Sequence, residues 1–269
     1  MARTQDAHRI PRAPTFLLAM TLWFLLLLIA FGAVLVLERL VHRRLQEVFL
    51  LLTGHAESAT LLYSIVLLPG VALHEVSHAL MATLLGVRVR RLSLRPEQQR
   101  NGVIRLGYVE VLRSDSLRTS LIGAAPLFAG VAALVAIGVL VFDLGSMQSA
   151  LAAGSAQKLL NLLLALPRAT DSWLWIYIVF AIANSMMPSS SDTQSWPPVI
   201  GFAVAFSATL LLVGGTDLIA AIAPLARDVA QWLTAAFALT AFIDLAVVIA
   251  FALLAKAITA LTGRQVEFR

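Results

Sequence analysis

The sequence predicts an all-α polytopic membrane protein, with about six transmembrane helices and a small membrane-associated β-hairpin after the second. Three observations predict it. Of the 269 residues, 59% are hydrophobic and only 13% charged, with a mean hydropathy of +0.87, whereas globular domains carry about 45–50% apolar and about 25% charged residues. Apolar runs of the ~20 residues needed to cross a bilayer recur along the chain. Between the second and third runs lies a stretch with the two-residue alternation of a strand.

Taken in order, the apolar runs place spans at 15–37, 59–86, 119–142, 173–192, 198–214 and 230–260. The first is too long for the apolar region of a secretory signal, and no small-residue cleavage site follows it, so it reads as a retained span. Segment 38–53 mixes Arg43 and Arg44 with Leu45, Val48, Phe49, Leu51 and Leu52, segment 147–166 spaces Leu151, Leu159, Leu160, Leu163 and Leu164 along a similar stretch, and both read as amphipathic helices packed on the outer surface. In 87–118, Val87-Arg88-Val89-Arg90 alternates, and so does 103–111. Asn101-Gly102 between them is a strong hairpin-turn signal. No internal repeat stands out.

The net charge is +5. Basic residues scattered through the loops, without a compact aromatic and basic module, speak for membrane orientation and against nucleic acid. With the N-terminus inside, 14 basic residues fall on the inside and 6 on the outside of a six-span chain. Both termini are therefore expected to be cytoplasmic. The absence of cysteine excludes disulfides and thiolate metal sites, so any metal must sit on imidazole and carboxylate.

The second span contains His74-Glu75-Val76-Ser77-His78. Positions i and i+4 share one face of a helix, so both imidazoles can meet one ion. Glu75 stands beside that face, within reach of a water on the ion, which is the mechanical logic of HExxH zinc hydrolases. With 5 His and 7 Glu in the chain, chance supplies only about 0.002 such patterns. The setting adds weight. A charged group in a span costs about 2.5 kcal/mol or more on insertion scales, so ionisable residues there usually serve function.

Catalytic zinc usually takes three protein ligands and keeps one position for water. The other histidines, His8, His42 and His55, fall outside the expected spans, which leaves Asp192 and Asp244 as candidates for the third ligand. Asp244, inside the last span, otherwise reads as a group behind the ligands or as a buried hydrogen-bond partner of a neighbouring helix. Asn184 reads either as an oxyanion donor or as an interhelical hydrogen bond. Pro188 is expected to end the fourth helix.

These residues resemble the site-2 protease family of intramembrane zinc metalloproteases, in which a later helix bears an Asn…Pro…Asp-Gly motif. Here that stretch reads Asn184-Ser185-Met186-Met187-Pro188-Ser189-Ser190-Ser191-Asp192. The Asn-to-Asp separation matches the family's. Pro188 stands one place late and Thr193 replaces the Gly. The strands of 87–111 resemble that family's membrane-associated hairpin, and Gly123-Ala124-Ala125-Pro126-Leu127 resembles its Gly- and Pro-rich approach to the next span.

The resemblance covers about 59–200 of one integral membrane domain, 1–269, and leaves 1–58 and 201–269 as accessory helices. It implies one zinc ion (Zn2+) per chain on His74, His78 and Asp192, with Glu75 as general base and Asn184 assisting. It further implies a bilayer-embedded membrane-protein substrate, drawn to Val103, Leu106, Tyr108 and Pro188. The location would be a bacterial inner membrane, with the active site in its cytoplasmic half. Outside the resemblance, a catalytically silent scaffold and an ion or metal transporter are the alternatives.

Overall fold

The computed structural model describes residues 13–94, 97–98, 104–112, 114–168 and 170–266. Helix α1 (Ala13–Thr53) is one unbroken helix of 41 residues. At 1.5 Å per residue it is about 60 Å long, roughly twice the hydrocarbon thickness of a bilayer. Segment 38–53 is therefore not a separate surface helix. Val41, Leu45, Val48 and Phe49 continue the helical stripe begun by Val34, and all five are buried in the main core. A two-residue turn, with Gly54 in the left-handed region at φ 70°, reverses the chain into α2 (Ala56–Leu84).

The expected hairpin is present, in two short antiparallel ladders. Strand β1 (Val89–Ser93) pairs with β4 (Tyr108–Val111), and β2 (Glu97–Gln98) with β3 (Ile104–Arg105). The register sets Leu92 opposite Val109 and Ser93 opposite Tyr108. The Asn101-Gly102 turn and Val103 lie outside the described residues. A small apolar cluster of Ala82, Val87 and Ile122 pins the root of the hairpin between α2 and the next helix.

That helix, α3 (Ser116–Val141), is capped by Asp115, whose side chain accepts from the Arg118 backbone N–H. This bond holds the Asp115 carboxyl below the usual carboxylate range. Helices α4 (Leu144–Ala152) and α5 (Ala156–Leu164) and a 3-10 turn (Leu166–Arg168) follow. Helix α4 buries Leu144, Met147 and Ala150.

The fourth span differs from expectation. Helix α6 (Ser172–Ala183) has only 12 residues and ends five residues before Pro188. An irregular stretch and the one-turn helix α7 (Ser190–Thr193) complete the segment. The apolar run is interrupted at Asn184, whose backbone N–H and side-chain Nδ2 both donate to Phe180 O, at 3.1 and 2.9 Å. Pro188 consequently ends nothing.

The rest of the chain is α8 (Trp196–Thr262), broken at Gly215, whose φ/ψ of 54°/−147° is non-helical. The break separates two apolar stretches, Trp196–Gly215 and Ala220–Thr262. Among the described residues, five helices are long and apolar enough to cross a membrane, and six if the pair Ala156–Arg168 and Ser172–Ala183, bent by 112°, is counted as one broken span. The chain is a multi-pass membrane protein.

The second part of α8 runs beside α1 in the same direction. Phe31 meets Phe237 at 5.5 Å and Phe49 meets Phe251 at 6.2 Å between ring centroids. Beyond Phe251, Arg264 donates to Leu51 O at 3.2 Å. The C-terminal end of α8 thus lies at the α1–α2 turn. The expected separation of 38–58 and 256–269 onto opposite sides does not hold. The flanking helices share one core with the rest, in which Val34, Val41, Leu239 and Ile243 pack together with Leu67, Leu134 and Val179.

Candidate metal centre

The site is built on the buried face of α2. His78 and Glu75 are almost wholly buried, and His74 stands one turn before His78. Two backbone carbonyls orient the imidazoles. His74 Nδ1 donates to Ser185 O at 2.7 Å, and His78 Nδ1 donates to Ile122 O at 2.8 Å. A proton held on Nδ1 leaves Nε2 as the lone pair, the arrangement that outer hydrogen bonds impose on metal-binding histidines. The two Nε2 atoms face each other at 3.1 Å. Two lone pairs at that distance repel unless a cation lies between them.

Asp192 closes the set. Its Oδ1 is 3.4 Å from His78 Nε2 and its Oδ2 is 3.9 Å from His74 Nε2. One ligand atom from each of the three residues lies within 4.8 Å of the others. A tetrahedral ion with bonds of ~2.0–2.1 Å holds its ligands about 3.3 Å apart, so the donor set fits a metal. The carboxylate is held from behind by a capping box, in which Oδ2 accepts from Ser189 N at 2.7 Å and Ser189 Oγ at 2.6 Å. Thr193, in place of the motif's Gly, is simply the last residue of α7 and needs no special backbone conformation.

Two glycines allow the elements to approach this closely. A Cβ on Gly123 of α3 would fall 2.2 Å from Asp192 O, and one on Gly70 of α2 would fall 1.9 Å from Ala181 O. The position of Asp192 is therefore fixed by contact with α3.

Beside the triad, Glu75 lies under Gly107, where a Cβ would fall 2.9 Å from Glu75 Cγ. A cavity of about 340 Å³ runs along the α2 face from Asp192, His78 and Glu75 to Tyr63. Leu106, Gly107, Tyr108 and Val109 form its hairpin wall. Of the residues expected to meet substrate, Leu106 and Tyr108 line this cavity. Pro188 does not, although its neighbours Met187 and Ser189 do.

Asn184 and Asp244 form a buried pair behind the triad. Asn184 Nδ2 donates to Asp244 Oδ1 at 2.8 Å as well as to Phe180 O. Asp244 is completely buried. The metal-binding set contains Asp192 and not Asp244. Asp244 is linked to it through Asn184 and the adjacent Ser185 carbonyl that accepts from His74.

The cavity also contains three residues that sequence reasoning missed, Glu38, His42 and Tyr63. A signal existed, because Glu38 and His42 are four apart in an apolar stretch. The interspersed Arg39, Arg43 and Arg44 made that stretch look like an outer surface. Compared with family models, curated proteins and solved structures, the chain matches none. Its site is thus defined by its own geometry: a histidine pair and a carboxylate, with a glutamate alongside, inside a multi-pass membrane protein.

Proposed function

We propose that this protein is an intramembrane zinc metalloprotease of the site-2 type, which hydrolyses peptide bonds in transmembrane or membrane-proximal segments of other proteins. The apposed Nε2 atoms of His74 and His78, each oriented by a carbonyl and joined by Asp192, carry this reading. A zinc ion on these three residues would supply Lewis acidity to the scissile carbonyl and lower the pKa of the attacking water toward ~7. Glu75 takes the proton from that water and delivers it to the leaving amine nitrogen. Asn184 has both amide hydrogens engaged, so it serves here as a positioning residue that ties the turn after α6 to α8. Among the described residues, strand β4 pairs with β1 in a two-stranded sheet, and in this reading an unwound substrate segment adds to that sheet as a further strand.

The hairpin end faces the cytoplasm in this scheme. Three basic residues in 1–14 and eight in 87–118 stand against three each in 38–58 and 256–269. That asymmetry favours a cytoplasmic N-terminus and a C-terminal end on the opposite face. A bacterial inner membrane is the proposed location.

The test is metal content and hydrolysis in detergent-purified protein. Wild type should hold about one zinc per chain. Asp192→Ala should lose it and Asp244→Ala should keep it. Glu75→Gln should keep zinc and lose peptide cleavage. A wild type without zinc in chelator-free buffer would sink the enzyme reading and favour a scaffold. Ion flux through reconstituted vesicles would favour a transporter.

A further inference from the structure

The cavity holds a second group of polar residues that hydrolysis at the triad leaves unused. Tyr63 OH and His42 Nδ1 are 2.6 Å apart, and His42 Nε2 lies 3.6 Å from Glu38 Oε1. A neutral imidazole has one donor and one acceptor nitrogen. With the Tyr63 hydroxyl donating to Nδ1, the ring N–H is on Nε2 and faces Glu38. Glu38 is partly open to the cavity, with 15% of its side chain exposed. Among the described residues lining the cavity there is no Lys or Arg.

The position is specific. Tyr63 lies eleven residues before His74 on α2, so the two share a face and stand about 16 Å apart along the axis. Glu38 is one turn from His42 on the antiparallel α1 and comes about 6 Å nearer to the triad. The remaining distance of about 10 Å corresponds to about three residues of extended chain.

We propose that Glu38, oriented by His42 and Tyr63, is a subsite for a cationic side chain, Lys or Arg, carried by the substrate about three residues from the bond to be cut. The proposal rests on the protease reading for its substrate. An anionic group in a low-dielectric cavity attracts a cation strongly and offers nothing to an apolar side chain, so this end of the cavity selects by charge.

The experiment uses full-length protein in nanodiscs and a panel of single-span peptides with a Gly-rich centre. The peptides differ only in the position of one Lys, and a Lys-free parent is included. Binding is read by fluorescence anisotropy, cleavage by mass spectrometry and zinc by metal analysis. Wild type should bind one register of Lys about tenfold more tightly than the parent. Glu38→Gln should bring that ratio close to one with zinc content unchanged. Tyr63→Phe should reduce the ratio about threefold, as expected for loss of one supporting hydrogen bond. Equal binding across the panel, or a preference that survives Glu38→Gln, would overturn the subsite. A Glu38-dependent preference without any cleavage or zinc would instead support the subsite and sink the protease reading, which keeps the two failures apart.

Discussion

At the residue scale, the candidate metal triad depends on groups outside its three members. Ser185 and Ile122 contribute only carbonyl oxygens, yet these decide which nitrogen of each histidine faces Asp192. Glu75 is confined in the same indirect way, by the absence of a side chain at Gly107. Gly107→Ala would place a methyl 2.9 Å from Glu75 Cγ and 3.0 Å from Val71 Cγ1. Glu75 must then swing aside, and a misplacement of about 1 Å in a reacting group costs up to about a hundredfold in rate. Under the proposed protease function, Gly107→Ala should therefore lower peptide cleavage by tenfold to about a hundredfold while zinc per chain stays at the wild-type level. Loss of zinc together with activity would show that the hairpin supports the ligands rather than Glu75.

At the scale of elements, the site is made where helices come unusually close. Helix α7 is a single turn and has little stability of its own. It is held by its Ser189 cap and by contact with α3 at Gly123, where Asp192 O fills the space a Cβ would occupy. A methyl cannot be accommodated there by turning a side chain, because the atom it meets is backbone. Gly123→Ala should push α7 away from α2 and weaken zinc binding by at least about tenfold, with the helical content of the protein unchanged. Competition with a chelator of known affinity measures the first quantity and circular dichroism the second. Unchanged zinc affinity would mean that α7 follows His74 and His78 without help from α3.

At the scale of the whole molecule, the parallel packing of α1 and the end of α8 gives a topological prediction. Because the chain has no cysteine, any introduced cysteine is the only thiol. In intact cells, an impermeant maleimide should label His55→Cys and Gln265→Cys and spare Ser114→Cys until the membrane is opened. Labelling of Ser114→Cys alone would reverse the orientation while preserving the fold. Labelling of His55→Cys without Gln265→Cys would contradict the Arg264–Leu51 contact itself.

The membrane class, the first three spans, the strand character after the second and the shared face of His74 and His78 all follow from local periodicity. Each depends only on residues within a few turns of one another, and the period of a helix or strand does not change with its surroundings. The separation of Asn184 and Asp192 also pointed to the carboxylate that stands beside the two histidines. The surroundings decided the rest. The end of α6 at Ala183, the approach of Asp192 across Gly123 and the pairing of Asn184 with Asp244 are contacts between distant segments. So are the placement of Glu38 and His42 beside Tyr63 and the return of Arg264 to Leu51. These depend on which surfaces meet when the helices pack, and an apolar stripe specifies that a face is covered without specifying by what.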